Sequence, residues 1–204
     1  GYFYTANGMA AARIASWDGT NWSALGTGMG ALFSLVSALA VYNNQLIAGG
    51  EFITAGGVSV SNIASWDGTS WSALGIGMDY NVYALTVFHG QLTAGGSFTT
   101  AGGVAANRIA AWDGTGWSAL GTGLGPTYPS VGELAVYNNQ LVAGGWFTTA
   151  GGVGANNIAS WDGSSWSALG TGLGGSYPIV YAVAVAGNDV YAGGQFESAG
   201  GVTA

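Results

Sequence analysis

The chain has 204 residues, 49% of them hydrophobic but only 5% charged, against about 25% charged in an ordinary soluble domain. Nine acids face two arginines, Arg13 and Arg108, for a net charge of −7, which excludes nucleic acid as a partner because no basic patch can be built. No cysteine is present, so neither disulfides nor thiolate metal sites hold the fold. The 39 glycines, with Ser, Thr, Asn and backbone amides, must cover the surface in place of ions. With neither an initiator Met nor a signal peptide at its start, Gly1 is expected to begin a processed or excised piece.

Taken in order, the chain opens on Gly1 to Thr5, a copy of Gly50 to Thr54, and reaches Trp17-Asp18-Gly19-Thr20-Asn21-Trp22. Asp-Gly supplies an acceptor side chain and a residue free to take positive φ, and a Trp on either side can face its partner across a hairpin. The longest apolar run, Ala31 to Tyr42, is too short to span a bilayer. Within it Val36 to Tyr42 reads as a strand, followed by Leu46 to Phe52, Asn62 to Trp66 and Trp71 to Leu74. Asn43-Asn44, a Gly56-Gly57 loop and Asp67-Gly68 provide the turns between them. No stretch carries sustained helical periodicity.

The turn recurs at Trp66-Asp67-Gly68, Trp112-Asp113-Gly114 and Trp161-Asp162-Gly163, so the motif tryptophans are spaced by 49, 46 and 49 residues. A period in the forties built of short strands predicts one repetitive domain over residues 1–204, with units of about 1–49, 50–95, 96–144 and 145–193 and a partial copy at 194–204. The order of signals, a small-residue strand, a strand carrying Gly49-Gly50, Gly95-Gly96, Gly144-Gly145 or Gly193-Gly194, then Trp-Asp-Gly and a second Trp (Trp22, Trp71, Trp117, Trp166), resembles kelch repeats. It is also similar to Gly/Trp-rich repeats secreted by microbes. The resemblance covers the whole chain. It departs in carrying Trp where kelch repeats prefer Tyr, Gly where they prefer Pro, and one residue fewer before the second Trp.

The resemblance implies an all-β propeller of four-stranded antiparallel blades with the Ala/Val strand innermost. Ala38, Ala40, Ala84, Thr86, Ala182 and Ala184 are then expected to face the axis, and Leu39, Val41, Leu85, Val87, Leu134, Val136, Val183 and Val185 to pack between blades. The chain ends just past a copy of its own beginning, so strands from the two termini can complete one blade together, with one Gly-x-Phe segment to spare. The surplus suits either an excised part of a longer array or pairing between the termini of neighbouring copies.

Catalytic machinery is sparse, and the chain reads as no enzyme and as needing no cofactor or metal. His89 is the only histidine and sits in a turn; the motif aspartates recur at a turn position, which assigns Trp17, Asp18, Gly19 and their copies to structure. Glu133 stands where other repeats have Ala and is expected to project into the central channel, as a hydrated carboxylate or a polar contact. The recurring tryptophans read as packing between blades, each burying about 150–250 Å². Binding is expected where the repeats disagree. Phe33, Tyr128 and Tyr177 share one loop offset, Tyr80 sits in a shortened copy of that loop, and Trp146 occupies the variable position of Gly-Gly-x-Phe. Arg13, Asn62, Arg108 and Asn157 share one position, suited to bonding a neighbouring loop. The expected role is a non-catalytic extracellular structural or adhesive module, a homo-oligomer or polymer; the alternative is a lectin-like module whose loop aromatics stack on a glycan.

Overall fold

A computed structural model describes residues 1–30, 34–125 and 129–204. Among them every regular element is a β-strand. Three complete units recur, each a four-stranded antiparallel meander in chain order. Unit one comprises Leu35–Tyr42, Gln45–Glu51, Ile63–Trp66 and Trp71–Ala73. Unit two comprises Val82–Phe88, Gln91–Gly96, Ile109–Trp112 and Trp117–Ala119. Unit three comprises Ser130–Tyr137, Gln140–Trp146, Ile158–Trp161 and Trp166–Ala168. A half-unit flanks them at each end: Ala15–Trp17 with Trp22–Ala24 before, and Ile179–Ala186 with Asp189–Gln195 after. Each sheet therefore straddles the repeat boundaries set at Gly-Gly.

The hairpin joining first and second strands turns on residues with positive φ, Asn43 and Asn44 in unit one, His89 and Gly90 in unit two, Asn138 and Asn139 in unit three. Two consecutive positive φ angles match the twist of the flanking strands, and Asn tolerates them better than most residues. His89 accordingly sits exposed, its ring stacked 3.8 Å from that of Phe88.

The Gly56-Gly57 segment, expected as a loop, folds as a short hairpin, Thr54–Ala55 with Val58–Ser59, and gains a third strand, Met29–Gly30, from the segment leaving the preceding half-unit. The same three-stranded joint recurs as Leu124–Gly125, Thr149–Ala150, Val153–Gly154 and as Leu173–Gly174, Ser198–Ala199, Val202–Thr203. In the copy with the shortened loop only a single bridge, Met78 to Ala101, survives.

Successive first strands pack side by side. Each carries a bulge, between Val36 and Ala38 and at the three equivalent places. One extra residue there turns the Val before it onto the same face as the Leu after it. That paired face meets the preceding unit: Val82 and Leu85 lie against Gly49, Val131 and Leu134 against Gly95, Val180 and Val183 against Gly144. Ala38, Ala40 and Ala84 are thereby corrected from their expected place at an axis. Ala38 and Ala40 pack into the cluster of Val82 and Leu85, and Ala84 into that of Val131 and Leu134. Small residues on one unit receive the larger ones of the next, as close packing requires. The larger residues divide: Leu85 and Leu134 are buried, whereas Leu39, Val41, Val87, Val136 and Val185 are exposed.

Candidate interaction surfaces

The Trp-Asp-Gly turn is built from its aspartate. Asp67 Oδ1 accepts the amides of Thr69 and Ser70, at 2.7 and 2.8 Å, and Gly68 takes a φ of +104° that a side chain would resist. Asp18, Asp113 and Asp162 make the same pair of bonds. The donated hydrogen bonds favour the charged form, so all four carboxyls are held below the usual carboxylate range. Closing the turn sets Trp66 opposite Trp71 with ring centroids 5.4 Å apart and tilted by 48°, and the other three pairs repeat this to within 0.1 Å.

The second Trp of each complete unit is a joint. Trp71 Nε1 donates to the Leu25 carbonyl at 2.9 Å, Trp117 Nε1 to that of Leu74 at 3.1 Å, and Trp166 Nε1 to that of Leu120 at 2.9 Å, in every case one unit back. The ring is also clamped by its own unit's Gly-Gly hairpin, since a Cβ on Gly56, Gly102 or Gly151 would stand 2.7 to 2.9 Å from its Cδ1. Aromatic area, a buried N–H bond and a close glycine act at one point, so each unit is fixed to the one before it.

Arg13, Asn62, Arg108 and Asn157 share a backbone with φ between 64° and 70°. Each reaches into the loop leading to the next unit: Asn62 and Asn157 donate to the carbonyls of Met78 and Leu173 at 3.0 and 2.8 Å, while Arg13 and Arg108 use Nε to reach Ser34 and Pro129 at 3.0 and 2.9 Å. In the shortened loop Asp79 takes over part of this work. Its carboxylate, although partly desolvated, is held below the usual range by Thr99 and the amides of Thr99 and Thr100. The indole bond to the preceding unit and the Asp79 contacts had no signal in the sequence, whereas the turn aspartate and the shared Arg/Asn position make the bonds expected of them.

Of the residues at which binding is expected, Phe33 and Tyr128 lie outside the described residues. Tyr80 and Tyr177 are well exposed, and Trp146 projects in part from the end of its strand, opposite Ser130. Tyr177 borders a shallow cleft of about 180 Å³ with Ser176, Pro178, Gln195, Phe196 and Glu197. Glu133 is half-buried on its unit's alanine face and folds back to accept the Leu134 amide at 3.0 Å. Its nearest polar engagement is therefore its own backbone. Among the described residues no three His, Asp or Glu side chains gather as a metal-binding group, and no helix is long and apolar enough to cross a membrane.

No protein-family model matches the sequence, and neither does any curated protein. Among solved structures the chain is similar to the crystal structure of the computationally designed Ika4 protein, with a TM-score of 0.52 and 19% identity over 85% of this chain and 92% of that one. At that identity the likeness concerns the fold: an all-β chain of repeated antiparallel sheets.

Proposed function

We propose that the chain is a non-catalytic structural or adhesive module of the extracellular space, a kelch-like β-propeller whose blades are the four-stranded units and which associates with further copies of itself. The observation that carries this reading is a pair of two-stranded sheets, Ala15–Trp17 with Trp22–Ala24 and Ile179–Ala186 with Asp189–Gln195, that present the same strand edges by which the complete units join their second and third strands. Side-by-side packing of the first strands suits blades arranged about an axis. A chain with only 5% charged residues offers few ion pairs to set its associations, which leaves apolar and backbone contacts to do so. Light scattering of the purified chain across a dilution series tests the self-association: mass above that of one chain is expected, and a compact monomer throughout would sink it.

A lectin-like role is the second reading, favoured by the exposure of Tyr80 and Tyr177 and by the cleft beside Tyr177. An exposed ring beside polar groups is what a sugar face stacks on. A glycan array comparing the parent chain with Tyr177→Ala and Tyr80→Ala decides it, since the reading requires a glycan signal that these variants lose.

A further inference from the structure

We propose that the C-terminal half-unit of one copy and the N-terminal half-unit of a second copy join as a single four-stranded sheet, in a register the complete units already display. This rests on the self-association reading above and names its interface.

Both half-units carry an open edge. Asp189–Gln195 pairs on one side with Ile179–Ala186, and Ala15–Trp17 pairs on one side with Trp22–Ala24. In unit three the corresponding edges meet, with Leu141 opposite Trp161, Val142 opposite Ser160, Ala143 opposite Ala159 and Gly144 opposite Ile158. Carried over, that register sets Val190 opposite Trp17, Tyr191 opposite Ser16, Ala192 opposite Ala15 and Gly193 opposite Ile14. An unpaired edge of this kind is a template for another strand.

The side chains at both ends are those an additional unit would cover. Trp22 is 42% exposed where Trp71 is 4%, Tyr191 is 56% where Val142 is 1%, and Leu39 is 52% where Leu134 is 5%. The two ends also complement each other at specific atoms. Trp22 Nε1 corresponds to the donors of Trp71, Trp117 and Trp166, and the acceptor that continues the series Leu25, Leu74, Leu120 is the Leu169 carbonyl. Gly49, Gly95 and Gly144 each abut a Val of the next unit, while Gly193 meets nothing, and Val36 is the Val in the corresponding place. Gly75 and Gly121 lie against Trp112 and Trp161, while Gly170 lies open. Donor and filler thus sit at the N-terminal end, acceptor and hollows at the C-terminal end, and each end carries an open strand edge.

The second copy is favoured over the chain's own opposite end because the two half-units of one chain stand as separate two-stranded sheets, the C-terminal one packed on unit three and the N-terminal one tied to unit one through the Trp71 bond to Leu25 and the shared core of Ile14 and Leu25. The contact is head-to-tail, so it builds a closed ring of copies or a filament. One rearrangement accompanies it. The hairpin Thr5–Ala10 copies Ser198–Thr203, and a joined sheet has room for one of them. Ser198–Ala199 is anchored by a third strand, Leu173–Gly174, whereas Thr5–Ala6 pairs with Met9–Ala10 alone and its segment is otherwise held by the Ala11 and Arg13 amides on Tyr4 and Phe3, by Arg13 over Tyr4 and by the Gly1 ammonium on the Val36 carbonyl; the N-terminal hairpin is the one that yields, giving up the Gly1 contact so that Gly193 covers Val36 in its place.

The absence of cysteine allows a direct test with two single-cysteine chains, Ala15→Cys and Ala192→Cys. Directly opposed strand residues stand within disulfide reach, at Cα separations of roughly 4.4–6.8 Å. Mixing the two under mild oxidant is expected to give a reducible heterodimer, with each variant alone giving little. Adding Tyr191→Asp to the Ala192→Cys chain is expected to cut the yield about tenfold or more, because it sets a charge in the seam. A double-cysteine chain that closes only upon itself, at the mass of one chain, overturns the proposal. So does the lack of a heterodimer: if scattering still shows oligomers, self-association stands and this interface falls, whereas a monomer throughout removes both.

Discussion

Trp117 Nε1 donates 3.1 Å to the carbonyl of Leu74, a residue 43 positions earlier and one unit back. The corresponding bonds of Trp71 and Trp166 span 46 positions. The three-residue shortening of one loop is therefore absorbed before the joint, which keeps its geometry. The array's regularity lives in these joints rather than in the loops between them.

Removing only the donor isolates the bond. Trp117→Phe keeps most of the ring but removes the indole donor from the Leu74 carbonyl, which keeps the Gly77 amide, so the expected cost is that of one net hydrogen bond, about 0.5–1.5 kcal/mol; Trp117→Ala, which also opens a cavity, is expected to cost about 3–5 kcal/mol. Trp22→Phe, whose N–H has no such partner among the described residues, is expected to change the stability of the dilute monomer by much less. Denaturant unfolding of the three variants checks the order, and equal losses for Trp22→Phe and Trp117→Phe would contradict it.

Gly151 and Gly152 separate backbone strain from collision. Both have positive φ, 60° and 83°, but a Cβ on Gly151 would press against Trp166, whereas one on Gly152 meets nothing within 4 Å. Gly152→Ala is expected to lose about 1–2 kcal/mol from the left-handed backbone alone. Gly151→Ala adds overpacking of about 1–3 kcal/mol. Thermal melts of the pair test whether the hairpin clamps the ring.

Much of this was legible because identical physical demands recur. Four strands per unit, the Trp-Asp-Gly turn and the absence of helix follow from turn residues and period-two patterning, and strand ends fell within a residue or so of those observed. The face of Ala38 and Ala84 was misread because alternation specifies two faces without saying what lies beyond each; the bulge at Ser37, which sets Val36 on the side of Leu39, has no residue signature of its own. The bond from Trp117 to Leu74 was hidden for another reason: its acceptor is a backbone carbonyl, which every residue carries. At the surface, Tyr80 and Tyr177 were found by the disagreement between copies, a signal that marks freedom from packing and leaves the ligand unspecified.

The turn aspartates predict acid sensitivity. Their folded-state pKa values lie below the unfolded one, near about 3.9, because amide N–H groups bond the charged form. Their stabilising effect is thus complete above the unfolded value and is lost as pH falls through the folded ones. The melting temperature is expected to hold steady down to about pH 5 and then drop. Replacing Asp67, Asp113 and Asp162 together by Asn preserves an acceptor for the turn while removing the titration, so the acid limb should flatten. A limb as steep in the triple variant as in the parent would place the sensitivity elsewhere.

Glu133 offers a test of the opposite sign. It is the one acid on an alanine face, opposite Gly144, and its carboxylate turns back to the Leu134 amide. Holding a charged group half out of water has a desolvation cost that a single local hydrogen bond offsets only in part. Glu133→Ala restores the residue of the equivalent positions Ala38, Ala84 and Ala182 and is expected to stabilise the chain by about 0.5–2 kcal/mol, as consensus replacements commonly do. Self-association should be unchanged, because Glu133 lies in unit three, away from both open edges. Denaturant midpoints and scattering mass, measured on the same samples, check both halves. A stability loss, or a loss of association, would mean that Glu133 is held in place by a contact that the neighbouring unit or a further copy supplies.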